Sequence, residues 1–443
     1  MRNLLILFSK LILLVLLLSG CRENGLINTP SIDNQSNEIP MVTSDLMSDS
    51  DFNFSSFTNQ FISLQITDTH SSPYEGVYAK FLDNDTNLIK SGISDSTGLI
   101  YVNLLLPSST AKVGVTFLAI GMLQDTLWLE LNKSHSINLE DLHSSGTLIN
   151  KALKFNKILK VPSPSDSDGD GISDNNDDFP NDHDRASEVF YPSEDSWGTL
   201  AFEDYYPTNG DYDFNDVVVN YQISEILDGN GNVKEINAKF IAVATGAEFR
   251  NGFALYFPSI EGNIESKIIG RAVQKNEKKW TLVSNGLIAH IFPDMHSGFN
   301  GQSFINTQDG ADELKGDTTV LKLILKSPEK LERAPYNAFI YRTSNPSLEI
   351  HMADFEPTPL FNNNYFNTKD DNSNQDIGKT FRNFNNLPWA INVQDTWSHP
   401  KERIDILDAY PNFRGWVNSN GKNNRNWISS KKKWDKVWKY NLK

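Results

Sequence analysis

Between Asp166 and Asp178 the chain reads DSDGDGISDNNDD, six aspartates in thirteen residues with no lysine or arginine among them. Numbered from Asp166, carboxylates stand at positions 1, 3, 5, 9 and 12 (Asp166, Asp168, Asp170, Asp174 and Asp177), with Gly171 at 6 and Ile172 at 7. Carboxylate oxygens on alternate residues, a glycine for a sharp turn, the backbone carbonyl of Ile172 and a closing carboxylate have the ligand spacing of a twelve-residue calcium loop. Two carboxylates about 7 Å apart at an effective dielectric near 20 repel by about 2 kcal/mol. A compact loop therefore calls for a divalent cation, and Ca2+ is the expected cofactor. Pro162 and Pro164 before the loop, and Phe179-Pro180 after it, leave no room for the paired helices of an EF-hand.

A second set of oxygen donors follows in EDSWGTLAFEDYYPTNGDYDFNDVVVNYQI, Glu194 to Ile223. Glu203 and Asp204 precede Asp211, Asp213, Asn215 and Asp216, which run into the apolar segment VVVNYQI. In an extended approach Asp211, Asp213 and Asn215 point one way, Tyr212 and Phe214 point the other way into a core, and Asp216 closes the site. Asp211, Asp213, Asn215 and Asp216 are the expected ligands of a second metal. The alternative is a turn in which Asp and Asn side chains bond their own backbone.

Catalytic patterns are absent. The eight histidines form no H-E-x-x-H set, there is no G-x-S-x-G elbow, and the chain has one cysteine, Cys21. Glu349, His351 and Asp354 could make an acid-base group, but in a strand-to-loop segment of an acidic protein such residues more often serve structure. The expectation is a protein that is not an enzyme. A formal charge of -16 also argues against a nucleic-acid partner, because a phosphate backbone requires a basic face.

The elements that position these residues read mostly as strands. FISLQITD and GVYAKFLD place hydrophobes at every second position, and SGISDSTGLIYVNLLLP joins two more such segments through the turn Asp95-Ser96-Thr97-Gly98. Beyond the aspartates, NVKEINAKFIAVATGAE alternates Ile236, Ala238, Phe240 and Ala242 against polar neighbours, and TTVLKLILK and YNAFIYRT read as further strands. KERIDILDAYPNF suggests a helix with Ile404, Leu407 and Ala409 near one face and Pro411 at its end. The closing KKKWDKVWKYNLK sets lysines beside Trp434 and Trp438, as a solvated amphipathic tail or a membrane-surface segment would.

The first twenty residues carry Arg2 and Lys10, then an apolar run from Leu11 to Leu18 and small residues, which is the pattern of a secretory signal. Leu18-Ser19-Gly20-Cys21 resembles the bacterial lipobox, which implies lipidation of Cys21 and a membrane partner reached through that anchor. The expected organisation is a signal peptide at 1–20, a flexible tether at 21–58, a small antiparallel β-sandwich at 59–160, the calcium loop at 161–188 and a larger β-rich domain at 189–443. The fold class is mainly β, two antiparallel sandwiches with few helices.

Three resemblances sharpen this reading. The GVYA…SDSTGLI pattern is similar to carboxypeptidase-regulatory and prealbumin-like domains. The aspartate pattern, continued to Asp182 and Asp184, resembles the thrombospondin type 3 repeat, which implies calcium held in loop structure and room for a second ion at Asp182 and Asp184. Joined to WGTLAFEDYYPTNGDYDFNDVVVNY, and followed by GAEFRNGFALYFP, LEIHMADFEPT and LPWAINVQDTW, it looks like the LruC domain of bacterial lipoproteins. The resemblance implies a β-rich domain of the bacterial cell envelope, held at the outer membrane, and assigns no activity to individual residues.

The expected function is therefore a calcium-stabilised, membrane-anchored binding or structural module with an extracellular protein or glycan as partner. The alternatives are a carbohydrate-binding adhesin that presents Trp389, Trp397 or Trp416 to sugars, and a hydrolase with converging carboxylates in a cleft.

Overall fold

The computed structural model describes residues 42–68, 70–118, 126–138, 165–174, 177–246, 249–260, 264–270, 279–299, 302, 304–331 and 334–440. The signal segment, Cys21 and residues 139–164 lie outside them. The described residues belong to one compact unit.

Period-two alternation builds a small sandwich first. Strands β1 (Phe57–Thr67), β4 (Leu99–Pro107) and β7 (Lys133–Asn138) form one sheet, ordered β4-β1-β7, in which β1 pairs antiparallel with β4 and parallel with β7. Strands β2 (Tyr78–Leu82), β3 (Leu88–Ile93), β5 (Lys112–Leu118) and β6 (Leu127–Glu130) form the other, ordered β3-β2-β5-β6. Ile62, Leu64, Ile66, Phe81, Ile100, Val102 and Val115 fill the space between. The turn at Asp95 closes as expected, with Gly98 N donating to Asp95 O at 2.8 Å and Gly98 at φ +74°.

The larger domain is a second sandwich with a further layer on one side. Its seven-stranded sheet contains β8 (Ser187–Tyr191), β9 (Gly198–Phe202), β10 (Val217–Leu227), β11 (Val233–Ala244), β13 (Ile264–Ile269), β16 (Thr318–Glu329) and β19 (Ala390–Gln394). Their order is β13-β16-β11-β10-β9-β19, with β8 also paired to β10. The five-stranded sheet contains β12 (Asn251–Pro258), β14 (Trp280–Val283), β15 (Gly286–Phe292), β17 (Asn337–Arg342) and β18 (Asn345–His351). Their order is β14-β15-β12-β17-β18.

Successive residues of a strand face opposite ways, and here both faces of the central strands are covered. Leu200, Phe202, Val217, Val219, Tyr221 and Phe240 enter the core between the sheets. Ala201, Val218, Ala244, Ile391 and Val393 face the other way, into an aromatic layer built by the C-terminal segment. In that layer α1 (Ile406–Ala409) is a single turn capped by Asp405, whose side chain accepts from Leu407 N at 2.8 Å, and α2 (Phe413–Asn418) follows. The helix expected near Ile404 is thus a single turn that begins after Ile404 and ends ahead of Pro411, and α2 is an element that was not expected. The tail is solvated over Lys431–Asp435, where Trp434 stands exposed beneath Lys432 Nζ at 3.9 Å, and packs only at Val437 and Trp438, which are buried.

The flexible tether expected over 21–58 requires correction from Val42 onward. Leu46, Phe52 and Phe54 are buried in the aromatic layer, where the Phe52 ring lies 4.9 Å from that of Trp416. Asn392 N donates to Phe54 O at 3.1 Å and Ser56 N to Asn392 O at 2.8 Å, so this segment extends the seven-stranded sheet beside β19 in parallel. Three phenylalanines at 52, 54 and 57 supply the apolar area that a tether lacks.

Candidate cation sites at the two ends of strand β10

The aspartate loop sits between the two sandwiches. No helix occurs among the described residues 165–174 and 177–186. Gly169 and Gly171 adopt φ +76° and +96°, conformations that cost a residue with a Cβ, and they let the backbone fold around Asp166. Asp166 Oδ1 accepts from Gly169 N at 2.7 Å, and Asp170 Oδ1 accepts from Ile172 N at 2.7 Å. Oxygens of Asp166, Asp168 and Asp170 come within 4.8 Å of one another. On the side of the larger domain the loop lies against the β10–β11 turn, where a Cβ on Gly229 would stand 2.6 Å from Asp170 O. On the side of the small sandwich, Tyr78 Oη on β2 donates to Asp178 Oδ1 at 3.4 Å.

Three oxygens of this loop, Asp168 Oδ2, Asp170 Oδ2 and Asp177 Oδ2, are buried with no hydrogen-bond partner. Burial, with the charges of Asp170 and Asp168 adding to it, pushes Asp177 up to about 6. Asp170 is raised by the same two effects. The remaining expected ligands separate. Asp174, at position 9, accepts from Ser167 N and Oγ at 2.7 Å each, and the Ser165 side chain, followed by these two bonds, lowers its pKa. It staples the loop instead of facing the other aspartates. Ile172 enters the site through its N–H bond to Asp170. The second ion expected at Asp182 and Asp184 also requires correction: Asp182 pairs with Arg185, and Asp184 pairs with Lys234 Nζ at 2.6 Å. Each carboxylate already has a cation.

At the opposite end of β10, about 35 Å away for eleven residues of strand, lies a more deeply buried group. Glu203 follows β9, and oxygens of Glu203, Asp211 and Asp213 come within 4.8 Å of one another. The approach is not extended as the alternation suggested: Tyr212 and Phe214 take φ +58° and +51°. Their side chains nevertheless enter the aromatic layer as expected, while Asp213 and Asn215 are buried on the other side. Asp213 accepts from Asn215 N at 3.0 Å and Arg403 N at 2.8 Å. Asn215 Nδ2 donates to Pro400 O at 3.2 Å, leaving its Oδ1 without a partner above Gly246. Asp216 lies beside the three, its Oδ2 accepting from Asp204 N at 2.9 Å and its charge bearing on Glu203.

Burial raises Glu203, Asp213 and Asp216 well above the usual carboxylate range, and neighbouring carboxylates add to the effect. Glu402, 52 residues beyond Ile350 and close to the same group, is pushed up to about 7 by burial and the charge of Asp211. Glu203 and Glu402 are the members that the sequence did not reveal as ligands. Glu203 stood in the quoted segment, whereas Glu402 carries no local signal.

Two other expected groups are settled by burial. His351 is 0% exposed, with Nε2 2.9 Å from Glu349 Oε2, its ring stacked on Phe339 at 4.5 Å. Asp354 instead pairs with Arg382 at 2.6 Å and Lys379 at 3.2 Å. The acid-base group is therefore divided, and its histidine is sealed in the core. Trp389, Trp397 and Trp416 are 2%, 3% and 1% exposed, so none presents a ring to a sugar. A cavity of about 1340 Å3 opens between Phe57, Tyr256, Lys330 and Trp416, and neither carboxylate group lines it.

The comparisons with known proteins concern mainly the larger domain. Residues 231–428, somewhat under half of the chain, match a family described as a domain of unknown function, DUF4842. No curated protein matches the chain. Among solved structures, the chain is similar to a Bacteroides ovatus protein designated a lipoprotein, at 16% identity and a TM-score of 0.44, over 83% of this chain and 94% of that one. It is more distantly similar to BcpA, the major pilin subunit of Bacillus cereus, at 7% identity and a TM-score of 0.16, over 65% of each chain. Neither likeness is close enough to carry a functional argument.

Proposed function

We infer that the protein is a non-enzymatic module of the bacterial cell envelope, anchored by lipid at Cys21, in which calcium bound by the aspartate loop fastens the two sandwiches together. The observation that carries this reading is the set of buried, unpartnered oxygens on Asp168, Asp170 and Asp177, in a loop that touches Tyr78 on one sandwich and Gly229 on the other. A carboxylate buried without a partner is costly, and a divalent cation removes that cost for all three at once. All-oxygen donors with flexible geometry suit Ca2+ better than Mg2+, which demands a tighter octahedron.

The anchor rests on the lipobox resemblance at Leu18–Cys21 and supports attachment at the outer membrane. No helix among the described residues is long and apolar enough to cross a membrane. An extracellular protein suits this module better as a partner than a glycan gripped by Trp389, Trp397 or Trp416, whose rings are enclosed. Thermal unfolding of the full chain in calcium, in magnesium and in chelator tests the reading. A rise in Tm specific to calcium, reduced by Asp168→Asn with Asp170→Asn, is expected. Equal Tm in the three conditions would overturn it.

A further inference from the structure

The group around Glu203 goes beyond the aspartate loop and stands on separate observations. Glu203 is 1% exposed; its Oε1 accepts from Phe214 N at 2.7 Å, and its Oε2 has no partner at all. Among the described residues no lysine or arginine forms an ion pair with Glu203, Asp211 or Asp213. Oxygens of Glu203, Asp211 and Asp213 lie within 4.8 Å of one another, and no donor reaches Glu203 Oε2. Space at that oxygen is kept by a glycine: a Cβ on Gly210 would stand 1.7 Å from Glu203 Oε2. Glu402 Oε2 is likewise buried and unpartnered, and the charge of Glu402 bears on both Asp211 and Asp213.

We propose that Glu203, Asp211 and Asp213, with Glu402 at their side, bind a second calcium ion that joins the β9–β10 connection to the C-terminal segment. Three or four carboxylates and no nitrogen or sulfur donor constitute a hard-cation site, and their number favours Ca2+. The ion takes the place of the missing partner at Glu203 Oε2 and offsets the repulsion among the buried charges. It also explains why Arg403 N, from the C-terminal segment, is held against Asp213 Oδ2: that bond brings Glu402 alongside.

The test counts calcium on the full chain after chelator treatment and dialysis against calcium. The expected result is two ions per chain, one in Glu203→Gln, one in Asp168→Asn with Asp170→Asn, and none when all three substitutions are combined. Asp211 is the exposed member, so Asp211→Asn retains the fold and is expected to weaken the second ion by at least about tenfold, because affinity follows the count of ligand charges. Near-UV circular dichroism shows whether Glu203→Gln folds, and if it does not, Asp211→Asn decides. One wild-type ion that survives in folded Glu203→Gln, two retained on folded Glu203→Gln, or unchanged affinity in Asp211→Asn would overturn the proposal. A single wild-type ion that is lost in Glu203→Gln and kept in Asp168→Asn with Asp170→Asn would defeat the aspartate-loop reading and leave this one standing.

Discussion

Individual side chains decide how the interior tolerates charge. His351 has Glu349 Oε2 on one ring nitrogen and Asn337 Oδ1, at 2.6 Å, on the other, while Thr358 N and Oγ1 donate to Glu349 at 3.0 and 2.5 Å. Removing the carboxylate in Glu349→Ala strands a buried imidazole and two donors, and a loss of about 3 kcal/mol is expected in urea unfolding. His399 behaves differently: burial lowers it from 6.5 to about 4, against a single bond to Pro400 O. The unfolded chain takes up this proton near pH 6.5, and the folded chain only near pH 4. The stabilisation is therefore complete above pH 6.5 and is lost as pH falls through that window, about 2 kcal/mol between pH 7 and pH 5. His399→Gln should flatten that part of the urea-unfolding profile. Among the aspartates, the proximity of Asp166, Asp168 and Asp170 was legible in their spacing, because positions 1, 3 and 5 of a tight loop have little freedom. Spacing could not show that the two donors of Ser167 would claim Asp174, since position 9 reads as a ligand whether or not a neighbour holds it.

Among the elements, strands were legible where one face is buried and alternation is clean, as in β1, β4 and β16. β12, buried on both faces, reads as a nearly continuous apolar run instead, whereas β10 is buried on both faces although Asn220, Gln222, Ser224 and Glu225 interrupt it. The segment from Val42 to Ser56 escaped notice because serine, aspartate and asparagine dominate it, although Phe52 and Phe54 already show the period of two. Its attachment is specific: Thr43 N donates to Asp405 Oδ2 at 2.8 Å, and Arg382 Nη2 donates to Phe52 O at 2.9 Å. Truncating one ring in Phe54→Ala leaves a cavity beside Trp416 and is expected to cost about 3 kcal/mol. Tryptophan emission, which should shift to the red as Trp416 meets water, reports the same loss. Glu402 was illegible for a different reason: it reaches Asp211 across 191 positions, and no local pattern records such a meeting.

For the whole molecule, the aspartate loop is one link between the two sandwiches, beside a direct one in which Glu194 N donates to Leu88 O at 2.9 Å. Chelation should leave both cores intact, yet increase protease cleavage within residues 165–186, because the loop's remaining bonds to Tyr78 and the Gly229 turn are few. Equal cleavage rates with and without calcium would argue against a cation there. The order of the chain has a mechanical consequence as well. Residues 42–56 belong to the aromatic layer of the larger domain, and only afterwards does the chain enter β1 of the small sandwich. Traction applied from ahead of Val42 therefore falls first on the Thr43–Asp405 hydrogen bonds and on the grip of Trp416 around Phe52. The small sandwich bears no load until those yield.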